Sequence, residues 1–487
     1  MKAQIIQRIG LAAGPLVAMA IWLLLAPDPG RALTPAGVSA LAVAAWMAVW
    51  WMTQAVALAA TALLPLVLLP VSGALTLAVV AAPYASPIVF LFLGGFLLGL
   101  AMQRWGLHRR LALHTLVFVG TGPMQLVGGF MLATAGLSMW LSNTATTMLM
   151  VPIGMSIVNT YRELLARGPD AQAQRDRLLG ALGPALMLGI AYAASIGGMG
   201  TLIGTPPNII MSGFVRQHYG IELTMLGWMA VGLPVVAVLL PLAWLWLTRV
   251  AFRLPVHRLP GGPDPLRIAL NALGPMARAE RLVAAVFALV AIGWVLRPQL
   301  VAVTGIDQLD DAVIAIIGAL LLFVLPAGQA GGTRLINWET AKALPWDVLI
   351  LFGGGLSIAA ALTATGADRY LAMLLAGLAG VPLFAMLLTL GFLVTFSGEL
   401  TSNTAAATTL MPILAALCAA TGLDPIPVFF TATLTGSLGF MLPVATPPNA
   451  IAYGTGLIAL PAMIRAGFGM NVIGIVAIVV WIYATRS

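Results

Sequence analysis

The sequence predicts an all-α polytopic membrane protein built from two repeats. Of its 487 residues, 61% are apolar and only 8% are charged, whereas a soluble domain carries about 25% charged residues. About eleven apolar runs are long enough, or nearly so, to cross roughly 30 Å of hydrocarbon as helices. Several short polar motifs also occur twice along the chain. The composition excludes soluble, disordered and collagen-like classes, and the repeated motifs indicate a duplicated unit.

The first apolar run follows Lys2 and Arg8 and resembles a signal peptide. Pro15 interrupts the run, however, and residues 26–29 form a poor cleavage site. We interpret it as a retained first span with the N-terminus in the cytoplasm. The predicted spans are residues 11–27, 37–52, 54–72, 87–103, 179–196, 224–250, 279–297, 309–326, 346–363, 426–443 and 468–485.

The charged residues indicate topology rather than a nucleic-acid partner. The chain has 23 Lys and Arg residues against 15 Asp and Glu residues, a net charge of +8. The basic residues are spread over loops, notably 104–110, 162–177 and 249–281, and no helix carries a basic stripe. By the positive-inside rule these loops lie in the cytoplasm. A single cysteine, Cys418, excludes an internal disulfide.

Two polar motifs recur and define the repeats. Ser-Asn-Thr-Ala at 142–145 recurs at 402–405, and Thr-Pro-Pro-Asn at 205–208 recurs at 446–449. The glycines of two Gly-rich segments pair at the same offset as the first motif. One register that holds over such a distance indicates a duplication.

The repeats cover about 36–250 and 279–487, after one additional N-terminal span. Secondary transporters are commonly built from two repeats, with substrate and ion sites near the membrane midplane. Channels and some intramembrane enzymes are pseudo-symmetric as well, so the duplication favours a transporter without excluding those classes. The sequence contains no hydrolase elbow, phosphate loop or HExxH zinc motif.

Each Ser-Asn-Thr triplet lies between two apolar arms that are near or below the length of a membrane span. We therefore predict two re-entrant helical hairpins, over 123–160 and 382–421, with their tips at the midplane. Non-helical backbone at that depth must line a cavity or be buried in protein. Hydroxyl, amide and carbonyl oxygens at such a tip can bind a hard cation such as Na⁺. The helix that begins after the tip presents its positive end to an anion.

The double prolines predict two broken helices, around 197–208 and 443–449. Consecutive prolines remove backbone donors and disfavour helix at the preceding residue. The freed carbonyls are expected to face the hairpin tips, although prolines that serve only packing also occur. The residues assigned to these structural breaks are Pro206, Pro207, Pro447 and Pro448.

Glu399 is an ionisable residue inside the second predicted hairpin, where Met139 stands in the first. Ionisable groups within a membrane are functional candidates by default. We interpret Glu399 either as a proton-coupling site or as a local structural partner of the hairpin.

These motifs together resemble the divalent anion/sodium symporter family, the INDY-type dicarboxylate and citrate transporters. They are the two triplets, Gly-Thr-Pro-Pro-Asn at 204–208, Met-Leu-Pro-Val-Ala-Thr-Pro-Pro-Asn-Ala at 441–450, and Leu-Pro-Trp-Asp and Phe-Gly-Gly-Gly within 344–355. The resemblance covers about 85–487 and implies a homodimer of eleven-span protomers with two inverted repeats. It also implies Na⁺-coupled symport of C4 dicarboxylates such as succinate, malate or fumarate across the bacterial inner membrane. The alternatives are a dicarboxylate exchanger or a proton-coupled carrier that uses Glu399, with sulfate or citrate as other substrates.

The resemblance further implies a scaffold domain and a transport domain that moves like an elevator. The scaffold comprises 1–122 and 265–380, and the transport domain comprises 123–250 and 381–487. No organic cofactor is expected, and the expected partners are the lipid bilayer and a second copy of the chain.

The same resemblance assigns the binding residues. A first Na⁺ site is formed by Ser138, Ser142, Asn143 and Gly204. A second Na⁺ site is formed by Gly398, Thr401, Asn403 and Ala445. The dianion is bound by Ser142, Asn143, Thr144, Thr205, Ser402, Asn403, Thr404 and Thr446.

One position departs from the family pattern. Members similar to the sodium-coupled branch carry Thr where this chain has Gly398, whereas Ser138 keeps a hydroxyl at the symmetric place. The second cation site therefore lacks one side-chain oxygen, and the sequence leaves the Na⁺ stoichiometry open.

Overall fold

The computed structural model describes residues 2–27, 33–119, 122–167, 172–254, 265–328 and 332–486, and these are folded almost entirely into helices. Eight of the helices are long and apolar enough to cross a membrane. The chain is therefore a multi-pass membrane protein. Parts of two predicted Arg-rich loops, 168–171 and 255–264, lie outside the described residues.

Among the described residues, the first half of the chain forms twelve α-helices and a short 3₁₀-helix (Ala82–Ala85), and α12 continues as a π-helical turn over Trp246–Ala251. They are α1 (Lys2–Leu24), α2 (Pro35–Thr53), α3 (Leu58–Thr61), α4 (Leu64–Val71), α5 (Leu77–Ala81), α6 (Pro87–Arg104), α7 (Leu107–Val119), α8 (Pro123–Ser138), α9 (Asn143–Arg167), α10 (Gln172–Gly198), α11 (Pro206–Tyr219) and α12 (Met225–Leu245).

The second half forms twelve more among the described residues. They are α13 (Pro265–Asn271), α14 (Arg278–Val295), α15 (Arg297–Thr304), α16 (Asp311–Val324), α17 (Trp338–Ala341), α18 (Trp346–Ala364), α19 (Ala367–Leu375), α20 (Leu383–Gly398), α21 (Asn403–Thr421), α22 (Pro425–Thr435), α23 (Pro447–Gly454) and α24 (Leu460–Arg486).

Helix length accounts for most of the predicted spans but not for all of them. Of the eight long apolar helices, α21 is an arm of the second predicted hairpin, and the other seven coincide with predicted spans. The run 54–72 instead forms α3 and α4, because Gln54 ends α2 in the left-handed region with φ 49°. The runs 309–326 and 426–443 contain helices of only 14 and 11 residues. Counting each of two bent helix pairs as one span raises the total within the described part of the chain to ten, so helix length in that part does not reach the predicted eleven.

Helix α10 lies at the centre of the packing and α1 at its edge. In the apolar window of α10, 83% of residues are buried, whereas only 17% are buried in that of α1. Helix α10 contacts α8, α9 and α12 of its own repeat and α23 of the other. Gly197 permits the contact with α8, because a Cβ at this position would lie 2.5 Å from Ala135 Cα. Helix α1 packs mainly on α2 and leaves its remaining apolar surface for lipid.

The repeated glycines allow close helix packing at symmetric positions. A Cβ on Gly94 would lie 2.6 Å from Ala315 Cβ, and a Cβ on Gly354 would lie 2.5 Å from Ala62 Cβ. Helix α6 therefore packs directly against α16, and α18 packs directly against α3. The repeated glycines therefore bring helix backbones together rather than bind a ligand.

Candidate functional site

Both predicted hairpins break at the Ser-Asn step of their triplets. Helices α8 and α20 each have 16 residues, which makes them about 24 Å long and shorter than the roughly 30 Å of hydrocarbon. Four residues separate α8 from α9, which begins at Asn143, and four separate α20 from α21, which begins at Asn403. The two arms of each hairpin contact one another. Each triplet therefore lies at a helix N-terminus.

The double prolines begin the second half of each broken helix. Helix α10 ends at Gly198 and α11 begins at Pro206, while α22 ends at Thr435 and α23 begins at Pro447. The threonine before each proline pair is extended, with φ −147° and ψ 145° in the first repeat and φ −141° and ψ 148° in the second. Proline is well suited to the first position of a helix, where its missing donor costs little. Each proline pair therefore lies at the first positions of a helix that follows a non-helical loop.

The last residue of each Thr-Pro-Pro-Asn motif braces the loop that precedes it. In both repeats the asparagine is fully buried and its amide nitrogen donates to two loop carbonyls. This bracing role was not predicted from the sequence, because the acceptors are backbone carbonyls of the loop and no residue type marks them. Asn208 Nδ2 donates to Gly198 O (2.9 Å) and Thr201 O (2.8 Å), and Asn449 Nδ2 donates to Gly439 O (2.9 Å) and Leu442 O (3.0 Å).

The first predicted cation site is a cluster of oxygens around Asn143. One atom of its amide faces Ser138 Oγ at 2.7 Å, Ala194 O at 3.0 Å and Gly204 O at 3.3 Å. Turned so that its nitrogen faces them, the amide hydrogen-bonds all three. Turned the other way, the amide oxygen completes a set of four oxygens, which is the ligand type that hard cations prefer. Three of the four predicted ligands are thus brought together.

Two glycines make this cluster possible. A Cβ on Gly198 would lie 2.6 Å from the nearer amide atom of Asn143. A Cβ on Gly204 would lie 2.9 Å from Gly198 Cα and closer still to its carbonyl oxygen. Side chains at either position would push the hairpin tip away from the broken helix.

The second predicted cation site lies around Asn403, the counterpart of Asn143 in the second repeat. Asn403 Oδ1 is buried and has no hydrogen-bond partner among the described residues. A Cβ on Gly398 would lie 3.5 Å from this oxygen, an ordinary contact distance, so the position accommodates an added Cβ. A Cβ on Gly439 would lie 3.7 Å from the same oxygen, 3.2 Å from Ala445 Cβ and 3.6 Å from Thr446 Cγ2. The structure therefore places Asn403, Ala445 and Thr446 around one point.

Several other predicted hydroxyls are engaged locally. Ser142 Oγ accepts a hydrogen bond from Ala145 N at 3.2 Å, and Thr401 Oγ1 donates to Ser397 O at 3.3 Å. Thr446 Oγ1 accepts from Asn449 N at 3.3 Å. Ser142 is exposed, while Asn143, Thr144, Ser402, Asn403 and Thr404 are half-buried. The triplets thus remain accessible to a ligand.

The two repeats interlock around these sites. Helix α9, which begins with the first triplet, packs against α23, the half-helix that follows Thr446. Helix α21 packs in turn against α11, which follows Thr205. Each hairpin therefore contacts the broken helix of the other repeat as well as that of its own.

Two further residues of the site were not predicted. Asn471 Nδ2 of α24 donates to Glu399 Oε1 at 2.6 Å, and the Tyr192 hydroxyl of α10 donates to Phe440 O at 3.1 Å. Asn471 is a fully buried amide within an apolar helix, which is the signal that sequence reasoning could have used.

An all-helical, duplicated membrane protein with paired hairpins and broken helices belongs to the class of secondary transporters. The family model described as the sodium:sulfate symporter transmembrane region matches residues 9–485, and the chain belongs to this family. It is therefore a transporter and not an enzyme. The family resemblance predicted from the motifs is confirmed.

Curated relatives agree with this class, and solved structures agree with the fold. The chain is 43% identical to the sodium-dependent dicarboxylate transporter SdcS of Staphylococcus saprophyticus, over 98% of this chain and 91% of that protein. It is 42% identical to SdcS of Staphylococcus aureus strain USA300 over the same shares. The YdaH transporter of Alcanivorax borkumensis has a TM-score of 0.53 at 17% identity and covers 83% of this chain and 85% of its own. MtrF of Neisseria gonorrhoeae has a TM-score of 0.55 at 14% identity, with 82% and 81% covered, and both show the fold alone.

Proposed function

We propose that this protein couples Na⁺ entry to the uptake of C4 dicarboxylates such as succinate, malate and fumarate across the bacterial inner membrane. Full-length relatives at 42–43% identity are named sodium-dependent dicarboxylate transporters. The observation that carries the proposal is the oxygen cluster around Asn143 together with the buried Oδ1 of Asn403, which has no hydrogen-bond partner among the described residues. Each lies beside the start of a helix.

The dianion binds between the two triplets, with one carboxylate at each. Its ligands are Ser142, Asn143, Thr144, Thr205, Ser402, Asn403, Thr404 and Thr446. Helices α9 and α21 begin at the triplets and direct free backbone N–H groups and positive dipole ends toward the anion. This arrangement explains why two separate triplets suit a substrate with two negative groups.

Sodium binds next to each triplet and offsets the charge of the substrate. The first ion is held by Ser138, Ser142, Asn143 and Gly204, and the second by Gly398, Thr401, Asn403 and Ala445. Transferring a dianion into a poorly hydrated site is costly unless opposite charges accompany it. Two bound cations supply that compensation.

Gly398→Thr is expected to lower the Na⁺ concentration that gives half-maximal uptake by about 2- to 10-fold, the worth of one additional oxygen ligand. A Cβ added at Gly398 makes only an ordinary contact, with Asn403 Oδ1 at 3.5 Å. Gly398→Val is the matched control, because it fills a similar volume without the oxygen. Equal sodium curves for the Thr and Val variants would contradict a weakened second site.

We also propose an elevator movement, in which residues 123–250 and 381–487 slide against 1–122 and 265–380. The helices of the moving part contact one another across the repeats, α12 with α24 and α10 with α23. Such contacts allow this part to move as a body.

A polar cluster joins the two parts. Arg297 Nη1 lies 2.7 Å from Glu222 Oε1 and 3.4 Å from Asp311 Oδ1, and Met225 N donates to Asp311 Oδ2 at 2.5 Å. Arg297 and Asp311 belong to the proposed scaffold, and Glu222 and Met225 to the proposed transport part. A sliding movement must separate these groups in each cycle.

Crosslinking this cluster is expected to stop transport. In a Cys418→Ala background, Met225→Cys and Asp311→Cys are joined by a short bis-methanethiosulfonate. Each cysteine thiolate displaces a methanesulfinate and forms a disulfide that a reductant cleaves. Uptake should fall to the level of protein-free vesicles and return after reduction. The single Met225→Cys variant, treated identically, should keep its uptake. A fully crosslinked double variant that still transports would refute the movement.

The proposal includes a homodimer and a cytoplasmic N-terminus. Light scattering of the detergent-solubilised protein measures the first, and protease accessibility of an N-terminal tag in right-side-out vesicles measures the second. A monomer would contradict the homodimer. A tag that the protease cleaves from outside would contradict the cytoplasmic N-terminus.

The central test is uptake of radiolabelled succinate into proteoliposomes. An inward Na⁺ gradient is compared with choline, each with and without internal succinate. Sodium-dependent accumulation in vesicles without internal succinate supports symport. Uptake that requires internal dicarboxylate and ignores Na⁺ would establish an exchanger instead. Competition by unlabelled malate, fumarate, citrate and sulfate defines the substrate.

A further inference from the structure

Glu399 is a buried carboxylate whose two oxygens are held by three N–H groups. Only 3% of the surface of Glu399 is exposed. Glu399 Oε1 accepts from Met441 N at 2.9 Å and from Asn471 Nδ2 at 2.6 Å, and Oε2 accepts from Leu442 N at 3.0 Å. The side chain thereby ties the tip of the second hairpin to the loop between α22 and α23.

The hydrogen-bond pattern suits the ionised carboxylate. An ionised carboxylate only accepts hydrogen bonds, whereas a protonated one must also donate. All three of these partners of Glu399 among the described residues are donors. A proton on Oε1 would displace one of its two donors, and a proton on Oε2 would meet no acceptor among these partners. Hydrogen bonds to a charged acceptor are also about twice as strong as neutral ones. This geometry argues for an anion that stays charged rather than a group that exchanges a proton in each cycle.

The loop held by Glu399 carries two predicted ligands. It is fastened from two further sides: Asn471 Oδ1 accepts from Phe440 N at 3.3 Å, and the Tyr192 hydroxyl donates to Phe440 O at 3.1 Å. A few residues later the same loop reaches Ala445 and Thr446, beside Asn403. Movement at Glu399 would therefore displace the ligands of the second site.

In the first repeat, the equivalent loop between α10 and α11 is held without a charged side chain. Met139 stands at the position of Glu399, and its backbone carbonyl accepts a hydrogen bond from the Thr201 hydroxyl. Trp228 Nε1 donates to Met199 O at 2.9 Å. The corresponding carbonyl of the second repeat, Phe440 O, accepts from the Tyr192 hydroxyl. The carboxylate thus occurs in the repeat that carries Gly398 and lacks the hydroxyl of Ser138.

We propose that Glu399 is a positioning residue for the second cation site, and that it acts in its ionised form. It holds the Met441–Leu442 backbone against the hairpin tip, so that Ala445 and Asn403 keep the spacing that binds Na⁺. Its fixed negative charge also favours a cation beside Gly398, where one ligand oxygen is missing. The inference rests on the proposed function and excludes the proton-carrier role for Glu399.

Glu399→Gln is the direct test, because glutamine keeps the size but places a donor against one of the three N–H groups. The half-saturating Na⁺ concentration for succinate uptake should rise about tenfold, the effect of losing one charge-assisted hydrogen bond. The maximal rate should fall less than this, and the pH profile of uptake should keep the wild-type form. Glu339→Gln is the matched control, since that carboxylate is exposed and pairs with the exposed Lys342; its sodium curve should not change.

A second variant keeps the test valid if Glu399→Gln folds poorly. Glu399→Gln with Asn471→Asp returns a carboxylate to the cluster, and the amide introduced on the hairpin then donates to the new acid on α24. This double variant should recover at least part of the sodium affinity. Sodium binding is also read without transport, from the rise in melting temperature of the purified protein as NaCl replaces choline chloride.

The outcomes separate this inference from the function on which it rests. Wild-type uptake that ignores Na⁺ would overturn the proposed function and this inference with it. Sodium-dependent wild-type uptake with an unchanged sodium curve for Glu399→Gln would overturn the positioning role alone. A Glu399→Gln variant that keeps its sodium curve but loses the pH dependence of uptake would identify Glu399 as a proton carrier instead.

Discussion

Asn143→Ala and Asn403→Ala are each expected to reduce sodium-driven succinate uptake at least about 100-fold. Each substitution removes a proposed contact with a carboxylate and a proposed ligand of a cation. One hydrogen bond to a charged group is worth about 1.5–3 kcal/mol, and two such losses at one residue correspond to that factor. The measurement is initial uptake into proteoliposomes at matched protein content.

The two asparagines are also expected to differ in a measurable way. The Asn143 amide has three oxygen neighbours, whereas Asn403 Oδ1 has no hydrogen-bond partner among the described residues. Asn143→Ala should therefore lower the melting temperature more than Asn403→Ala, because it leaves more polar groups unpaired. Asn271→Ala is the control, since Asn271 is exposed at the end of α13. Near-normal uptake in both hairpin variants would refute the site assignment.

Gly204→Ala is expected to abolish transport through geometry alone. The added Cβ would lie 2.9 Å from Gly198 Cα and closer to its carbonyl oxygen, and both atoms belong to the backbone. Overpacking of this kind costs about 1–3 kcal/mol. The strain would move the Gly204 carbonyl, which is a proposed ligand of the first Na⁺ site, away from Asn143.

The matched control for Gly204→Ala is Gly136→Ala in the first hairpin. Gly136 faces open space, and no atom of the described part of the chain lies within 4 Å of an added Cβ. This variant should keep uptake and gain slightly in helix stability. Sodium titrations of uptake and of melting temperature check both variants. A Gly204→Ala variant with a wild-type sodium curve would show that this carbonyl does not bind the ion.

Local chemistry explains the features that were predicted correctly. Apolar composition determines that helices cross a membrane, because unpaired backbone groups are too costly in hydrocarbon. The helix breaks follow from the proline pairs, since Pro206 and Pro447 restrict the residue before them whatever surrounds them. The hairpin ends at Asn143 and Asn403 follow from short arms and a recurring polar triplet. These signals act within a few residues of the chain.

The number of spans could not be derived in the same way. The runs 54–72, 309–326 and 426–443 are apolar, yet they form short helices followed by bends or loops. Apolar composition reports only that a segment is buried in lipid or in protein. Where neighbouring helices supply the apolar environment, a segment need not be helical over the whole width of the bilayer.

The sequence by itself determined a duplicated membrane transporter with two triplets at two helix starts. Only the tertiary structure decided how these parts hold one another. Asn471 meets Glu399 from 72 residues away, and Tyr192 meets Phe440 from 248 residues away. Such pairs are selected by the packing of whole helices, and no periodicity or local propensity records them. Sequence reasoning therefore treated Glu399 as an isolated acid. Only the packing of α24 brings Asn471 to its carboxylate, and only the packing of α10 brings Tyr192 to the loop before Ala445.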